Sequence, residues 1–140
     1  MGNRDAFPGQ SGGSIGRWYV EFKIKLNGAS APTILSGSSF LATSGALAHV
    51  GGTNVISVTL RDPWPEIIFA NADLRDDAPN GAYVTIGSIT GENSQTVPPA
   101  PIAFKLNTWT AGGAVSNDSS ATVSVSLAIR NSNTTYGNNP

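Results

Sequence analysis

The sequence predicts an all-β protein, and two segments with strictly alternating apolar and polar residues carry that prediction. A period of two places every second side chain on the same face of a strand, so such a segment is a strand with one buried face. A period of three and four residues, which marks an amphipathic helix, does not occur, and we expect a helix content near zero. The apolar positions of the first segment, residues 17–26, are Trp18, Val20, Phe22, Ile24 and Leu26. Those of the second, residues 122–130, are Val123, Val125, Leu127 and Ile129.

A hairpin is predicted directly after the first strand. Asn27-Gly28 is the dipeptide that best tolerates the positive φ angles of a type I′ turn. Pro32 follows in the returning segment, and proline cannot donate to a central ladder. The returning strand is therefore expected at a sheet edge or as a short run.

Shorter strands are predicted between these two segments, separated by turns rich in Gly and Pro. Seven to nine strands at spacings of about ten residues indicate an antiparallel β-sandwich or a jelly-roll-like barrel, with the connectivity left open. The predicted short strands are residues 40–43, 46–50, 55–61, 66–70, 82–89 and 101–109.

The β-domain is predicted to span residues 17–130, with an arm at each end. Residues 1–16 contain five glycines, and only Phe7 and Ile15 offer apolar anchors. Residues 131–140 are Asn, Ser, Thr, Gly and Pro apart from Tyr136. An arm without a core of its own gains order by lying on a neighbour. We therefore expect an oligomer in which each arm lies on a neighbouring subunit.

Composition excludes several classes of protein. Charged residues are 12% of the 140 residues, and the formal net charge of −1 gives no field that would hold phosphates. A nucleic-acid binder is therefore not expected. No stretch approaches the eighteen apolar residues that span a membrane, and the start of the chain has no apolar signal region. The sequence is interpreted as that of a soluble protein without a membrane partner.

The residues that carry catalysis are scarce. The chain has no cysteine and one histidine, His49, which lies among small and apolar residues. The carboxylates of residues 73–81 could hold Ca²⁺, but their spacing departs from the EF-hand pattern, so a solvated loop is the preferred interpretation. We expect a protein that is not an enzyme and has no cofactor.

The aromatic residues are the candidates for contacts. Trp64 stands between two prolines on a stiff turn, where its ring either covers the rim of the core or anchors a partner. Arg75 and Asp76 are expected as polar neighbours of that contact. Trp18 and Trp109 are expected in the core. The predicted partner-binding residues are Phe7, Ile15, Trp64, Arg75, Asp76 and Tyr136.

The chain as a whole resembles a bacteriophage capsid decoration (cement) protein. The resemblance lies in the Gly-rich arm Met1 to Gly16, the Cys-free β-body with hydroxyl-rich faces such as Thr122-Val123-Ser124, and the polar tail Asn131 to Pro140. It implies a virion protein on the capsid surface, made in the cytoplasm of its host and assembled as a homotrimer, that binds neighbouring major capsid protein subunits and stabilises their contacts.

Two other functions stay open. One is a carbohydrate-binding β-sandwich module of a viral fibre or cell surface, with Trp64, Tyr83 or Tyr136 as stacking platforms. The other is a small structural subunit that itself forms a shell.

Overall fold

The computed structural model describes residues 17–50, 53–75, 82–109 and 121–130. Both arms lie outside the described residues, and so do the predicted contact residues Phe7, Ile15, Asp76 and Tyr136.

Eight strands make up most of the described chain, and the one helical segment within it is a 3₁₀ turn at Ser38–Phe40. The all-β prediction is confirmed, and the strand number falls within the predicted range. The strands are β1 Arg17–Asn27, β2 Ser30–Ser36, β3 Leu47–His49, β4 Val55–Thr59, β5 Glu66–Arg75, β6 Tyr83–Thr90, β7 Ala103–Trp109 and β8 Thr122–Arg130.

The strands form two antiparallel four-stranded sheets. The first sheet has the order β2-β1-β8-β5, and the second has the order β3-β4-β7-β6. Strand β5 approaches β6 on one side and β2 approaches β3 on the other, so the sheets lie face to face. Of the two architectures left open by the sequence, the structure is the sandwich.

The core lies between the sheets and uses the alternating residues that the sequence marks. The rings of Phe22 in the first sheet and Phe104 in the second lie 6.4 Å apart, centroid to centroid. Every inward side chain of β8 is at most 1% exposed. The largest fully buried side chains are Phe104, Ile24, Leu41, Leu60, Ile102, Leu106, Leu127, Ile129, Val20, Val58, Val123 and Val125.

The first hairpin is confirmed, but its turn differs from the predicted type. Asn27 pairs with Ser30, so the central residues of the turn are Gly28 and Ala29. Of these two, Gly28 alone has a positive φ, 60°. Glycine with positive φ at the first central position is the pattern of a type II′ turn. Pro32 lies in β2, which is an edge strand as predicted.

Three local predictions are wrong. Residues 40–43 are no strand, because the 3₁₀ turn precedes an isolated bridge from Leu41 to Leu60. Residues 73–75 belong to β5 and not to a loop, so Arg75 is the last residue of a long strand. Neither Trp18 nor Trp109 lies in the core: Trp18 is 49% exposed, and Trp109 lies on the outer face of the second sheet beside Lys105 and Asn107.

The connection from the first sheet to the second depends on Gly37. It follows β2 with φ 77° and lies directly against the backbone of β1. A Cβ atom at this position would lie 2.3 Å from the carbonyl oxygen of Glu21. Both the backbone conformation and the space therefore require glycine.

Candidate functional site

The two segments that the sequence predicts to be arms join the described body at the same end of the sandwich. Arg17 begins β1, Arg130 ends β8, and the two residues are paired across the ladder. Residues 1–16 and 131–140 therefore join the described body side by side. We call this the arm end of the sandwich, and the end with the Gly28 turn the hairpin end.

Exposed apolar side chains are concentrated at the arm end. Tyr19 on β1 and Phe69 on β5 both pair with Ala128 of the strand between them, so their side chains share one row on the outer face of the first sheet. Tyr19 is 52% exposed and Phe69 is 59% exposed, whereas Ala128 between them is 6% exposed. Trp18 and Ile68 are next to them in sequence and are 49% and 43% exposed. Trp18 pairs with Ile129 and so points to the opposite face of β1 from Tyr19. We call the other three exposed residues, Tyr19, Ile68 and Phe69, the apolar patch.

A β-bulge accounts for two of the three residues of the apolar patch, Ile68 and Phe69. The register of β5 against β8 shifts between Ile67 and Phe69, which leaves Ile68 as the extra residue. Ile67 packs inward against the core, and after the bulge Phe69 points outward. A bulge re-aims side chains and also blocks pairing of an edge strand with another chain. The three consecutive apolar residues 67–69, which break the period of two, are the sequence signal that could have located it.

The turn that carries Trp64 lies at the arm end as well. Trp64 is partly buried and packs against the core, which corresponds to the rim-covering alternative. Two contacts just after Trp64 fix the start of β5. Glu66 forms an ion pair with Arg130, and the backbone N–H of Ile67 donates to the Glu92 carboxylate at 2.7 Å. Trp64 thus lies at the rim of the core, at the arm end of the sandwich.

A braced loop also projects at this end. The backbone N–H of Asn93 donates to the carbonyl of Pro65, and the N–H of Ala100 donates to Ser94 Oγ at 3.0 Å. These bonds hold a loop on which Val97 is 97% exposed. The sequence pattern indicates only turns at residues 91–99 and does not single out Val97, because nothing in it distinguishes this residue from a core valine.

The outer face of the first sheet is strongly charged. Eight of its described residues are ionic, five basic and three acidic: Arg17, Lys23, Lys25, Arg75 and Arg130 with Glu21, Glu66 and Asp73. Arg75 lies on this face and pairs with Asp73 at 3.7 Å, with both side chains largely exposed. It lies at the hairpin end, away from Trp64, so the structure does not bring these two predicted contact residues together.

The outer face of the second sheet is almost uncharged. The ladder rows place small, hydroxyl and amide side chains there, and among its described residues only Lys105 carries a charge. The face comprises Ala48, Val55, Ser57, Thr59, Tyr83, Thr85, Gly87, Thr90, Ala103, Lys105, Asn107 and Trp109. We call this surface the neutral face.

Two stacked rings lie at the hairpin end of the neutral face. Tyr83 and Trp109 are cross-strand partners with ring centroids 6.5 Å apart and an angle of 22° between their planes. Trp109 Nε1 donates to Thr85 Oγ1 at 3.1 Å, which fixes the indole. Tyr83 was a predicted stacking residue, and Trp109 is its unpredicted partner.

The only histidine contributes to a small polar site between the sheets. His49 lines a cavity with Asn54 and Thr108. The side-chain amide of Asn54 donates to the carbonyl of Thr108 at 2.6 Å, and the Thr108 N–H donates to the carbonyl of Asn54 at 3.1 Å. The two residues thus tie β7 to the start of β4. Within the described ranges, no three His, Cys, Asp or Glu residues converge as metal ligands would.

Comparisons with family models, with curated proteins and with solved structures found no match to this chain. In the described part of the chain, no helix has the length and apolar character needed to cross a membrane.

Proposed function

We propose that this protein is a non-catalytic virion component that binds the outside of a capsid and stabilises contacts between neighbouring major capsid subunits. The observation that supports it is the neutral face, a regular sheet surface with one charge among its described residues. Burial of an unpaired charge is strongly unfavourable, whereas hydroxyls and amides find partners on another protein at little net cost. Such a face is suited to contact.

The size of the neutral face favours repeated weak contacts. Four strands about 4.8 Å apart and five residues at about 3.4 Å each give a surface of roughly 300 Å². A standard interface buries about 800 Å² on each partner, so one neutral face alone would bind weakly. Several copies that bind across subunit boundaries gain avidity, and together they oppose opening of the shell.

The test is a binding measurement on shells of the encoding virus prepared without this protein. Purified protein is added in increasing amounts, and both the occupancy and the temperature at which the shells open are measured. We expect saturable binding and a raised opening temperature. Binding without any rise would contradict the stabilising role, and absence of binding would contradict the proposal.

Glycan binding is the second candidate, and the Tyr83–Trp109 pair is the observation that favours it. An aromatic pair on an outer face, with Tyr83 exposed, Trp109 partly buried and the indole fixed by a hydrogen bond, offers an apolar platform. Hydrogen-bonding groups lie nearby on Thr85 and Asn107. A glycan array decides between the two candidates. Retention that is lost in the Trp109→Ala variant, together with failure to bind shells, would favour a carbohydrate-binding module.

A further inference from the structure

The braced loop between β6 and β7, residues 91–102, presents an uncharged apolar tip. Val97 is 97% exposed, and Pro98 and Pro99 beside it are exposed as well. The one charged residue of the loop is Glu92, and its carboxylate accepts a backbone N–H of β5. We call the three consecutive exposed residues, Val97, Pro98 and Pro99, the loop tip. Apolar side chains exposed to this degree gain free energy when a partner covers them.

Hydrogen bonds hold the loop tip in one conformation. Ser94 Oγ accepts the backbone N–H of Ala100 at 3.0 Å and lies 2.8 Å from Thr96 Oγ1. Thr96 Oγ1 in turn donates to the carbonyl of Pro98 at 2.9 Å. The N–H of Asn93 ties the base of the loop to the turn before β5. A loop that is already ordered loses little conformational entropy on binding, so its apolar tip is suited to contact.

A surface of matching chemistry lies at the other end of the same two strands. Tyr83 is the first residue of β6, Trp109 is the last residue of β7, and their rings are stacked. Tyr83 is 42% exposed, and the hydrogen bond to Thr85 fixes the indole. Proline-rich segments of fixed conformation dock on aromatic side chains in several kinds of peptide-binding domain. Neither the loop tip nor the Tyr83–Trp109 pair carries a charge, so their contact desolvates no ion.

We propose that the loop tip of one copy of this protein packs on the Tyr83–Trp109 pair of a second copy. The two surfaces of one chain do not meet, because the eight residues of β6 hold its ends about 23 Å apart. The Asn93 hydrogen bond also keeps the loop at the arm end. A contact between two different surfaces is head to tail, so a dimer retains one free tip and one free pair and can grow or close into a ring.

The size of this contact sets the concentration at which it forms. Two partly exposed rings offer roughly 200 Å², far below the 800 Å² or so that each partner buries in a standard interface. Association is therefore expected to be weak and concentration-dependent. The contact uses the Tyr83–Trp109 end of the neutral face, and it does not depend on shell binding.

The test is complementation between two full-length variants. Val97→Asp places a charge on the loop tip, Tyr83→Asp places one on the aromatic pair, and both positions are exposed, so circular dichroism should match that of the natural protein. Sedimentation velocity is measured without shells at up to about 1 mM protein. We expect the natural protein to self-associate and each variant alone to do so at least ~10-fold more weakly, because the contact would bury an unpaired charge.

An equimolar mixture of the two variants should form dimers with the affinity of one natural contact, and nothing larger. The intact tip of the Tyr83→Asp chain meets the intact pair of the Val97→Asp chain, while the two surfaces left free both carry a carboxylate. Recovery in the mixture distinguishes a head-to-tail contact from one in which identical surfaces meet.

Leu35→Asp is the matched control, since Leu35 is an apolar residue of β2 in the other sheet and is 49% exposed. Its self-association should equal that of the natural protein. Four results would each overturn the inference: a natural protein that stays monomeric, unchanged association in either Val97→Asp or Tyr83→Asp, no dimer in their mixture, or an equal loss in Leu35→Asp. Shells are absent from the measurement, so failure of this contact and failure of shell binding are separate outcomes.

Discussion

The two outer faces of the sandwich expose different kinds of polar side chain, although both belong to four-stranded antiparallel sheets over one core. The first sheet carries eight ionic residues on its described outer face, whereas the described outer face of the second carries Lys105 alone. On the first face, ion pairs such as Glu66–Arg130 and Asp73–Arg75 lie within the sheet. Since the chain has so few charges, their segregation onto one face leaves the other almost free of them.

This difference gives the two faces different costs of burial against another protein. A charged face keeps water and resists burial, because desolvated ions lose far more hydration free energy than hydroxyls do. A face of Ser, Thr, Asn and small residues is hydrated when exposed, and its desolvation on binding costs little free energy. The outer face of the second sheet is therefore the one that can be covered at lower cost, whereas the ionic residues of the first sheet resist burial.

The largest expected effect on stability comes from the connection that leads the chain from the first sheet to the second. Gly37 leads the chain from the first sheet toward the second, with φ 77° and with β1 backbone where a Cβ would go. Gly37→Ala should lower the free energy of unfolding by about 3 kcal/mol or more, because it adds a backbone clash to the strain of a positive φ. Urea unfolding followed by tryptophan fluorescence measures the change.

Gly45→Ala is the matched control for that variant. Gly45 also has a positive φ, 64°, but no atom of the described residues lies within 4 Å of the position that a Cβ would take. It should lose only the conformational contribution, about 1 kcal/mol. Equal losses in the two variants would show that the close approach of Gly37 to Glu21 contributes nothing.

The sequence predicts what depends on local periodicity. Alternation locates β1 and β8, and Pro32 places β2 at an edge, because these signals need no knowledge of neighbouring strands. Trp18 shows the limit of this reasoning. It has the same alternation as Val20 and Phe22, but it lies two residues before Val20, the first buried residue of the strand. Periodicity does not reveal where the facing sheet ends.

The candidate surfaces could not be predicted, because they depend on register between distant segments. The neutral face joins Thr59 to Ala103, and the apolar patch joins Tyr19 to Phe69 through Ala128. Each strand read alone shows only an ordinary polar or mixed face. The pairing that gathers the charges on one sheet is set by the order of the strands, which the alternation leaves open.

The next largest effect comes from a charge placed on the neutral face. Thr59→Glu adds a carboxylate opposite Ala103, a ladder partner whose methyl group cannot neutralise it. If this face binds shells, affinity should fall about 30-fold, equivalent to about 2 kcal/mol. Equilibrium binding to shells that lack the protein measures the change.

Thr122→Glu is the matched change on the charged face. Thr122 pairs with Lys25 on one side and Arg75 on the other, so the new carboxylate meets two cations at a surface expected to stay in solvent. Its shell affinity should match that of the natural protein. A greater loss in Thr122→Glu than in Thr59→Glu would reverse the assignment of the two faces.

The smallest effect distinguishes two ion pairs within the charged face. The Glu66 and Arg130 side chains are 34% and 30% exposed, whereas those of Asp73 and Arg75 are 63% and 77% exposed. Solvent screens the second pair more strongly, so Glu66→Gln should cost about 1 kcal/mol or less and Asp73→Asn should have no measurable effect. The Glu66 loss should shrink as salt is added, because ions screen the attraction that the substitution removes. Urea unfolding at low and high ionic strength gives both values. A salt-independent loss in Glu66→Gln would mean that this residue holds the start of β5 by packing and not by charge.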